Sequence, residues 1–391
     1  MNQTCDIAIV GAGLVGAALA LALRDTGLSV VLLDARVPQL LPQDASWDSR
    51  IYAISPGSVA FLEALGVWRD LPRTRLTRVE AMRIFGDDAL SELDFSAYDV
   101  GHAELAWIVE SRLLQDALWQ ALQAAPHVSL RVPAELDALT VAAPSAQITL
   151  ARGEHLHAHL VVAADGARSW VRTQAGIEAH DKDYDQLGVV ANFATEHAHS
   201  GTAFQWFQAD GVLAYLPLPG NQISIVWSLK TVLAQELMTL PPEILCERVA
   251  QASGRRLGNL TLLTPPAAFP LHLIEPRQLI KPRLALVGDA AHQVHPLAGQ
   301  GVNLGFGDAQ ALAQVLRTRG ARDCGDVLLL RSYERARREQ ILAMALVTDG
   351  LQSLFNRAGS GLGWLRNTGL TLTNRAGWIK HQLIKHALGA P

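Results

Sequence analysis

The order of hydrophobic and polar residues near the start of the chain predicts a strand, a helix and a second strand. The run Asp6 to Val10, apolar after its first residue, predicts a buried strand, and the uncharged run Leu14 to Leu23 predicts a helix. Gly27 is typical of a helix end, and residues 29–33 predict the next strand, which Asp34 follows. This pattern is a βαβ unit, in which the turn between the first strand and the helix often binds a ligand.

Glycines in that turn carry the first candidate chemistry. Gly11, Gly13 and Gly16 have the G-x-G-x-x-G spacing, which permits a tight turn, close approach of a pyrophosphate and close packing of helix on strand. The carboxylate of Asp34 suits the adenosine ribose hydroxyls and would repel a 2′-phosphate, so the motif favours FAD or NAD over NADP. A glycine-rich turn that binds nothing is the alternative.

A second turn of this kind lies far along the chain. The apolar residues 284–287 are followed by Gly288 and Asp289, and a loop rich in proline and glycine then opens a helix. Glycines let backbone N–H groups approach a ligand, a helix start adds partial positive charge, and an aspartate accepts hydrogen bonds from a sugar-like hydroxyl chain. Together with the first glycine motif, this loop predicts a bound flavin.

A third turn, Asp165-Gly166, follows the buried run at residues 160–164. It would also contribute to nucleotide binding, although an acid and a glycine can simply end a strand. His155, His157 and His159 alternate along the preceding strand. Because nothing supplies further ligands, an exposed strand face is favoured over a metal site.

Hydrophobic periodicity predicts the rest of the fold. The predicted elements are strands near residues 78–95, over 128–150 and over 184–275, a helix over 105–122, and helices from the Gly-Asp loop at residue 288 to the end. We therefore predict an α/β (α+β) fold, in which a β-rich substrate domain is inserted into a Rossmann-like FAD-binding domain and a helical segment follows. The predicted boundaries are 1–75, 105–175 and 276–350 for the FAD-binding domain, 76–104 and 176–275 for the substrate domain, and 351–391 for the C-terminal helical segment.

Composition narrows the class of protein. The chain has 391 residues, is 49% hydrophobic and carries a formal net charge of −4, which suits a large core and two domains and argues against a nucleic-acid-binding protein. Cys5, Cys246 and Cys324 are odd in number and lack a CxxC pair, so neither a disulfide framework nor a zinc site is expected. The charge-free residues 7–23 follow Asp6 and no basic segment, which excludes a signal peptide and predicts a cytoplasmic protein.

The three turns occur in the order seen in the flavoprotein monooxygenases that resemble para-hydroxybenzoate hydroxylase. More specifically, Asp48-Ser49-Arg50-Ile51-Tyr52-Ala53-Ile54-Ser55 and the string from Gly288 to Gly305 resemble the ubiquinone-biosynthesis hydroxylases of the UbiH/UbiF type. Residues 354–356, 365–370 and 387–389 are similar to the tail of that family. The resemblance thus covers essentially the full length of the chain, but its motifs do not specify which ring position is hydroxylated.

The resemblance implies a set of FAD-binding residues. They are Gly11, Gly13 and Gly16 on the pyrophosphate, Asp34 on the ribose, Arg50 and Arg112 on the ribityl–phosphate side, Asp165 and Gly166 near FAD and NAD(P)H, Gly288 and Asp289 on the ribityl chain, and Gly299, Gln300, Gly301, Val302 and Asn303 at the pyrimidine edge. Pro296 would lie beside the reactive face of the flavin. His292 and His295 would relay protons or orient substrate, or would only hold the loop by local hydrogen bonds.

The implied chemistry is aromatic hydroxylation. NAD(P)H would reduce FAD, O2 would add to give a C4a-hydroperoxide, and an electron-rich phenol ring would attack its distal oxygen. The implied substrate is a polyprenylated phenol of ubiquinone biosynthesis. Rival hypotheses are a hydroxylase of a small soluble aromatic acid, an FAD-dependent prenyl reductase and a flavin-bearing scaffold subunit. A Trp-x-Trp-x-Ile-Pro string is absent from the sequence, which weakens a halogenase interpretation.

Two further patterns concern the substrate. Aromatic residues are frequent in the β-rich region, where they would bind a ring or prenyl chain or, more often, form plain core; they are Phe204, Trp206, Phe207, Tyr215 and Trp227.

After Asp349 the chain has no acidic residue but several arginines, lysines and tryptophans. Such a tail suits an anionic membrane surface, which predicts peripheral binding at the inner face of the cell membrane and, with it, a ubiquinone-biosynthesis enzyme assembly. A helix packed on the main body with a solvated basic face is the alternative.

Overall fold

A computed structural model describes residues 2–39, 46–86, 92–151, 153–208, 210–293 and 301–356 of the chain, with side chains as far as residue 342. The first of its three sheets has eight strands in the order β18-β19-β11-β1-β2-β8, with β10 joining β11 to β9. Those strands are β1 (Asn2–Val10), β2 (Val30–Leu33), β8 (Val128–Arg131), β9 (Leu136–Val141), β10 (Ala146–Leu150), β11 (His155–Ala163), β18 (Ile280–Lys281) and β19 (Leu284–Leu286). Strands β19, β11, β1, β2 and β8 run parallel.

The second sheet is mostly antiparallel and also has eight strands, in the order β16-β12-β15-β14-β13-β5-β6 with β17 beside β12. They are β5 (Ala81–Phe85), β6 (Glu92–Ser96), β12 (Ala179–Thr195), β13 (Thr202–Gln208), β14 (Gly211–Leu218), β15 (Gln222–Lys230), β16 (Leu260–Leu262) and β17 (Ala267–Pro276). A third sheet of three strands, β3 (Ile51–Ile54), β7 (Ala106–Glu110) and β4 (Thr77–Val79), packs against it through Ile51, Ile108 and Leu216.

Eight α-helices complete the described residues. They are α1 (Leu14–Ala22), α2 (Pro56–Ala64), α3 (Ser111–Gln123), α4 (Trp170–Gln174), α5 (Thr231–Met238), α6 (Pro242–Ala252), α7 (Gly301–Arg317) and α8 (Val327–Asn356). Helices α1, α3 and α7 pack around the parallel strands. Because these strands are covered on both faces, their side chains are apolar in continuous runs; Ile7 and Ile9 are completely buried. The predicted α/β fold class is confirmed.

One predicted element is wrong in part. The sequence predicted a helix over residues 105–122, but Ala106–Glu110 is strand β7 and helix α3 begins only at Ser111. The run Ala-Trp-Ile-Val-Glu carries β-branched and aromatic side chains, which favour a strand, and it pairs antiparallel with both β3 and β4. Helices α5 and α6 also interrupt the stretch 184–275 that was predicted to be mostly β.

The aromatic residues of the second sheet are mainly core. Phe204, Trp206, Tyr215 and Trp227 are buried on one face of the sheet, together with residues of α5 and α6. Trp206 packs edge-on against Tyr215, with 4.8 Å between the ring centroids. Asn192 belongs to the opposite face, where its Nδ2 donates to the backbone oxygen of Asp48 at 2.9 Å. The face that meets the rest of the protein is therefore not the one that carries these four rings.

The described ranges were searched for metal-binding clusters and for membrane-spanning helices. In those ranges, no three His, Cys, Asp or Glu side chains cluster closely enough to hold a metal ion; His155 hydrogen-bonds with Gln147 and Thr149 instead. Among the described helices, none combines the length and apolarity needed to cross a bilayer.

The cysteines are buried free thiols in this structure. Burial, with the nearby acidic side chains, raises the pKa of Cys5 and of Cys324 to about 12. Because the thiolate is the reactive form, we expect a water-soluble disulfide reagent at pH 8 to label these thiols only after denaturation. The neutral thiols stabilise the fold below about pH 9, and this contribution is lost as the pH rises toward 12. Rapid labelling of Cys5 and Cys324 in the native protein would contradict this expectation.

Candidate active site

The first glycine turn is shaped by three different steric requirements. Gly11 has φ +109°, and a Cβ there would lie 2.2 Å from the backbone oxygen of Ala164. A Cβ at Gly16 would lie 2.0 Å from the backbone oxygen of Gly11, so the absence of a side chain at Gly16 lets helix α1 approach the end of strand β1, whereas Gly11 lets the turn approach Ala164. At Gly13, by contrast, nothing lies within 4 Å of a Cβ. This open space faces the start of α1, which no side chain caps.

Asp34 is held beside this turn at the end of β2. Its Oδ2 accepts a hydrogen bond from the backbone N–H of Ala12 at 2.8 Å, and its Oδ1 accepts one from the backbone N–H of Arg36 at 2.9 Å. The Nε2 of Gln115 in α3 donates to the backbone oxygen of Ala12 at 2.9 Å. The half-buried carboxylate therefore has a fixed position and retains acceptor capacity. Its contact with a ribose stays a prediction.

The three turns that the sequence singled out meet in space. A Cβ on Gly288 would lie 3.2 Å from the side chain of Val15, and one on Gly305 only 2.5 Å from it. Since Val15 belongs to the first glycine motif, the Gly288 turn and helix α7 pack directly on it. The Asp165 block joins the same place, because Gly11 abuts Ala164 and the backbone nitrogen of Asp165.

The Asp165 block is tied to the Gly288 turn by a buried arginine. Arg172 donates to the backbone oxygen of Ala167 at 2.7 Å and to that of Ala290 at 2.9 Å. The Asp165 carboxylate itself accepts hydrogen bonds from the Ser169 hydroxyl and the Val171 N–H. Burial raises the pKa of Asp165 in spite of these bonds. In this structure Asp165 thus organises the start of α4, and Gly166, with φ +84°, turns the chain after it.

Asp289, in the Gly288 turn, has a carboxylate that could still accept hydrogen bonds from a ligand. It lies in a short 3₁₀ turn, Gly288–Ala290, and among the described residues no donor bonds to its half-buried carboxylate. Burial raises the pKa of Tyr52, the charge of Arg50 lowers it and the charge of Asp289 raises it, so Arg50 and Asp289 both lie near Tyr52. The Arg50 guanidinium lies 5.5 Å from the centre of the Tyr52 ring.

A buried carboxylate frames the loop that carries Arg50. Glu110 is completely buried and accepts hydrogen bonds from the Asp48 N–H at 2.8 Å and from Arg75 at 2.6 and 2.7 Å. Asp48 in turn accepts from the backbone N–H groups of Arg50 and Arg112. The two arginines that were predicted to approach FAD are thus held on one acidic frame, and the Arg112 side chain remains 41% exposed.

Asn303 lies in the first turn of α7 and uses both ends of its amide. Its Nδ2 donates to the backbone oxygen of Ala53 at 2.8 Å, and its Oδ1 accepts from the Ser55 N–H at 3.0 Å. The helix begins at Gly301, and Val302 is buried among the apolar side chains of the first sheet and its helices. Asn303 therefore fixes the start of α7 against β3. The predicted contacts of these residues with a pyrimidine edge stay predictions.

His292 lies beneath the Gly288 turn and is only 3% exposed. Its Nε2 is 2.6 Å from Oδ2 of Asp308, which is completely buried and also accepts from the Gly288 N–H at 2.8 Å. The other oxygen of Asp308 accepts from Nε of Arg337 at 2.6 Å. Burial alone would raise the pKa of Asp308, but His292 and Arg337 outweigh it and lower that pKa. A role of His292 in holding the loop fits this geometry, and its catalytic role stays a prediction.

Several predicted residues fall outside the described ranges: His295, Pro296, Gly299 and Gln300. Three buried residues, by contrast, hold the site although the sequence assigned them no role: Glu110, Asp308 and Arg337. Apart from Gln340, which accepts from Arg337 within the same helix, their side-chain partners and the Asp48 N–H lie 16 to 62 residues away along the chain. For Glu110 and Asp308 the signal in the sequence is a charge among mainly apolar neighbours; Arg337 lies in a run of charged residues that gives no such signal.

The arrangement fits FAD. The start of α1 has no side-chain cap and has open space at Gly13, so it would accommodate a pyrophosphate. The Asp34 carboxylate is fixed where it could accept hydrogen bonds from sugar hydroxyls. The Asp289 carboxylate has no hydrogen-bond donor among the described residues. These residues would hold the dinucleotide across the parallel sheet. When bound, the flavin supplies the transfer of reducing equivalents and the activation of O2. The protein residues would bind and orient it and exclude water.

Comparison with known proteins supports this reading. The FAD binding domain family matches residues 4–348 of the chain. The chain is 38% identical over 392 aligned residues to 3-demethoxyubiquinol 3-hydroxylase of Escherichia coli, with 99% of each chain covered. It is 35% identical to ubiquinone hydroxylase UbiL of Rhodospirillum rubrum, with 99% of this chain and 90% of that protein covered. It is 32% identical to the human ubiquinone biosynthesis monooxygenase COQ6, with 98% and 92% covered.

Solved structures share the fold. Pseudomonas aeruginosa PqsL in complex with 2-aminobenzoylacetate superposes with a TM-score of 0.79 at 22% identity, covering 95% of this chain and 100% of that one. Klebsiella pneumoniae HpxO complexed with FAD gives a TM-score of 0.74 at 18% identity, with 99% of each chain covered. The chain therefore belongs to the FAD binding domain family and, within it, to the ubiquinone-biosynthesis hydroxylases, which makes it an FAD-dependent monooxygenase.

Proposed function

We propose that the chain hydroxylates the aromatic ring of a polyprenylated phenol in ubiquinone biosynthesis, with NAD(P)H and O2 as co-substrates. The full-length identity of 38% to a 3-demethoxyubiquinol 3-hydroxylase carries this proposal. The convergence of the Gly11, Asp165 and Gly288 turns around one dinucleotide site supports it, because ring hydroxylation needs the flavin held rigidly beside the substrate.

In this proposal each turn binds a different part of FAD. The N–H groups at the start of α1, next to Gly13, bind the pyrophosphate, and Asp34 binds the adenosine ribose. Asp289 accepts hydrogen bonds from the ribityl chain, with Arg50 and Arg112 on the phosphate side. The positive end of α7, near Gly301, would lie at the pyrimidine edge of the flavin and would favour negative charge there.

The substrate ring is proposed to bind near the place where the second sheet meets the turn that carries Asp289. Leu273 of β17 and Leu304 of α7 pack together there with Tyr184, and Ile274 forms a backbone bridge with Gln293. An apolar wall at this point suits a prenylated ring and keeps water from the reacting atoms.

The membrane part of the proposal rests on the substrate and on the tail. Each buried prenyl methylene is worth about 0.8 kcal/mol, so the substrate stays in lipid. The basic, tryptophan-bearing residues after Asp349 lie outside the residues with described side chains. We propose that they bind an anionic membrane surface at the inner face of the cell membrane, where partner enzymes of the pathway would assemble.

Mass spectrometry of quinone intermediates in a deletion strain tests the proposed function. We expect a prenylated precursor that lacks one ring oxygen to accumulate, and the intact gene to restore the mature quinone. The position of the missing oxygen identifies the hydroxylated carbon. An unchanged set of quinones in the deletion strain would contradict the proposal.

Purified protein separates the rival functions. NAD(P)H oxidation stimulated by small aromatic acids, without liposome binding, would identify a soluble-acid hydroxylase. Turnover under anaerobic conditions would identify a prenyl reductase. Bound FAD that NAD(P)H never reduces in the presence of phenol would favour a scaffold subunit.

A further inference from the structure

The buried charges beneath the Gly288 turn do more than fill the core. We propose that Asp308, His292 and Arg337, here called the Asp308 cluster, form a positioning site that fixes the Gly288–His292 turn in the shape that binds FAD. The cluster is distinct from the residues expected to touch the cofactor. Its effect would reach FAD through the backbone on either side of Asp289.

Hydrogen bonding in the cluster determines the shape of the turn. Oδ2 of Asp308 accepts from the Gly288 N–H and from His292 Nε2, which lie at the two ends of a five-residue segment. An ionised carboxylate only accepts, so Nε2 of His292 carries the proton of this bond. Within the segment, the N–H groups of Ala291 and His292 donate to the oxygen of Gly288 at 2.8 and 3.0 Å. Asp289 is thus held between two anchored residues.

Arg337 connects the cluster to helices α7 and α8. Its Nε donates to Asp308 at 2.6 Å and its Nη2 donates to the backbone oxygen of Leu304 at 2.9 Å. A Cβ on Gly307 would lie 2.8 to 3.0 Å from the guanidinium. Glycine inside a helix is unfavourable by roughly 1 kcal/mol, and here it gives Arg337 room to reach Asp308. Gly307 thus lowers the helix propensity of α7 but leaves space for the Arg337 guanidinium beside Asp308.

Burial makes the arrangement demanding. Asp308 is 0% exposed, His292 3% and Arg337 4%. A buried carboxylate is tolerated only when its charge is paired and its lone pairs are used, and removing one partner is strongly destabilising. A turn that merely connected β19 to α7 would not require a carboxylate, an imidazole and a guanidinium. The cluster instead defines a single conformation of the turn before any ligand arrives.

Four variants test the proposal by FAD binding to the apoprotein, measured by flavin fluorescence. We expect His292→Ala to weaken FAD binding roughly 10- to 100-fold, the range expected for loss of a hydrogen bond to a charged group. His292→Gln places an amide donor near the same position and is expected to restore binding to within about threefold of the native protein. Asp308→Asn is expected to weaken binding at least as much as His292→Ala.

Asp323→Asn is the matched control. Asp323 also pairs with an arginine, since its Oδ2 lies 2.6 Å from Arg283, and its pKa is also lowered by that partner against the opposing effect of burial. It lies outside the Asp308 cluster, so we expect its FAD affinity to remain native. Hydrogen exchange of residues 286–293 in apo and FAD-loaded protein gives a second readout: faster exchange in His292→Ala, native exchange in His292→Gln.

Native FAD affinity and native exchange in His292→Ala would overturn the proposal. So would a folded His292→Gln that binds FAD as poorly as His292→Ala, because the imidazole itself would then be required. If Asp308→Asn fails to fold, the two His292 variants still decide the question. Because these measurements use neither phenol nor O2, they are independent of whether the proposed ring hydroxylation is correct.

Discussion

Replacing Gly16 with alanine is expected to destabilise the protein by about 3 kcal/mol or more, the upper range for overpacking a core. A Cβ there would lie 2.0 Å from the Gly11 backbone oxygen, so helix α1 would have to move away from β1. FAD binding should be lost with the fold. Gly13→Ala is expected to behave oppositely, because its Cβ would meet nothing within 4 Å. We expect native apoprotein stability but FAD binding weakened roughly 10- to 100-fold.

Urea unfolding of the apoproteins and FAD titration measure these two effects separately. Gly27→Ala is a suitable control, because Gly27 has φ +70° and open space but lies beyond the far end of α1, after the 3₁₀ turn Arg24–Thr26. It should lose about 1 kcal/mol from the left-handed backbone and keep its FAD affinity. If Gly13→Ala binds FAD normally, the start of α1 does not bind the pyrophosphate.

Glu110→Ala is the second substitution with a large expected effect. It leaves the half-buried Arg75 and the Asp48 N–H without their acceptor, and breaking a buried ion pair in this way is expected to destabilise by about 3–5 kcal/mol. The loop that carries Arg50 would lose its frame, so FAD binding should fall as well. Equilibrium unfolding in urea and FAD titration of the remaining folded protein measure both losses.

An exposed pair provides the contrast. Glu154 lies 3.2 Å from Arg131 and its side chain is 51% exposed. Surface pairs contribute about 0–1 kcal/mol, so Glu154→Ala should unfold almost as the native protein does. Equal losses in the two variants would show that the Glu110 network is not specially important.

The sequence was sufficient to predict features that a short stretch of chain determines by itself. The βαβ unit and the turns at Gly11, Asp165 and Gly288 each combine an apolar strand with a residue type that the local backbone requires. The helix over 105–122 was misjudged because its second half, with buried Leu113, Leu114 and Leu118, has true helical spacing. The strand before it is defined by pairing with residues 51–54, which local periodicity does not contain.

The supporting charges were not predictable for a related reason. Asp308 lies within a helix where an aspartate ordinarily faces solvent, and nothing near it in sequence indicates that Arg337 and His292 surround it. Glu110 similarly depends on Arg75, 35 residues earlier. Such residues are identified only once the fold shows which carboxylates are buried and which cations reach them.

The order of strands in the first sheet has a consequence for biosynthesis. Strand β1 lies between β2 and β11, and β19 joins only after the whole second sheet has been made. Roughly three quarters of the polypeptide must therefore be synthesised before Asp289 can contact the first glycine turn. Contacts between residues so far apart in sequence slow folding. Chains truncated before β18 should therefore bind no FAD and stay colourless, with or without chaperones.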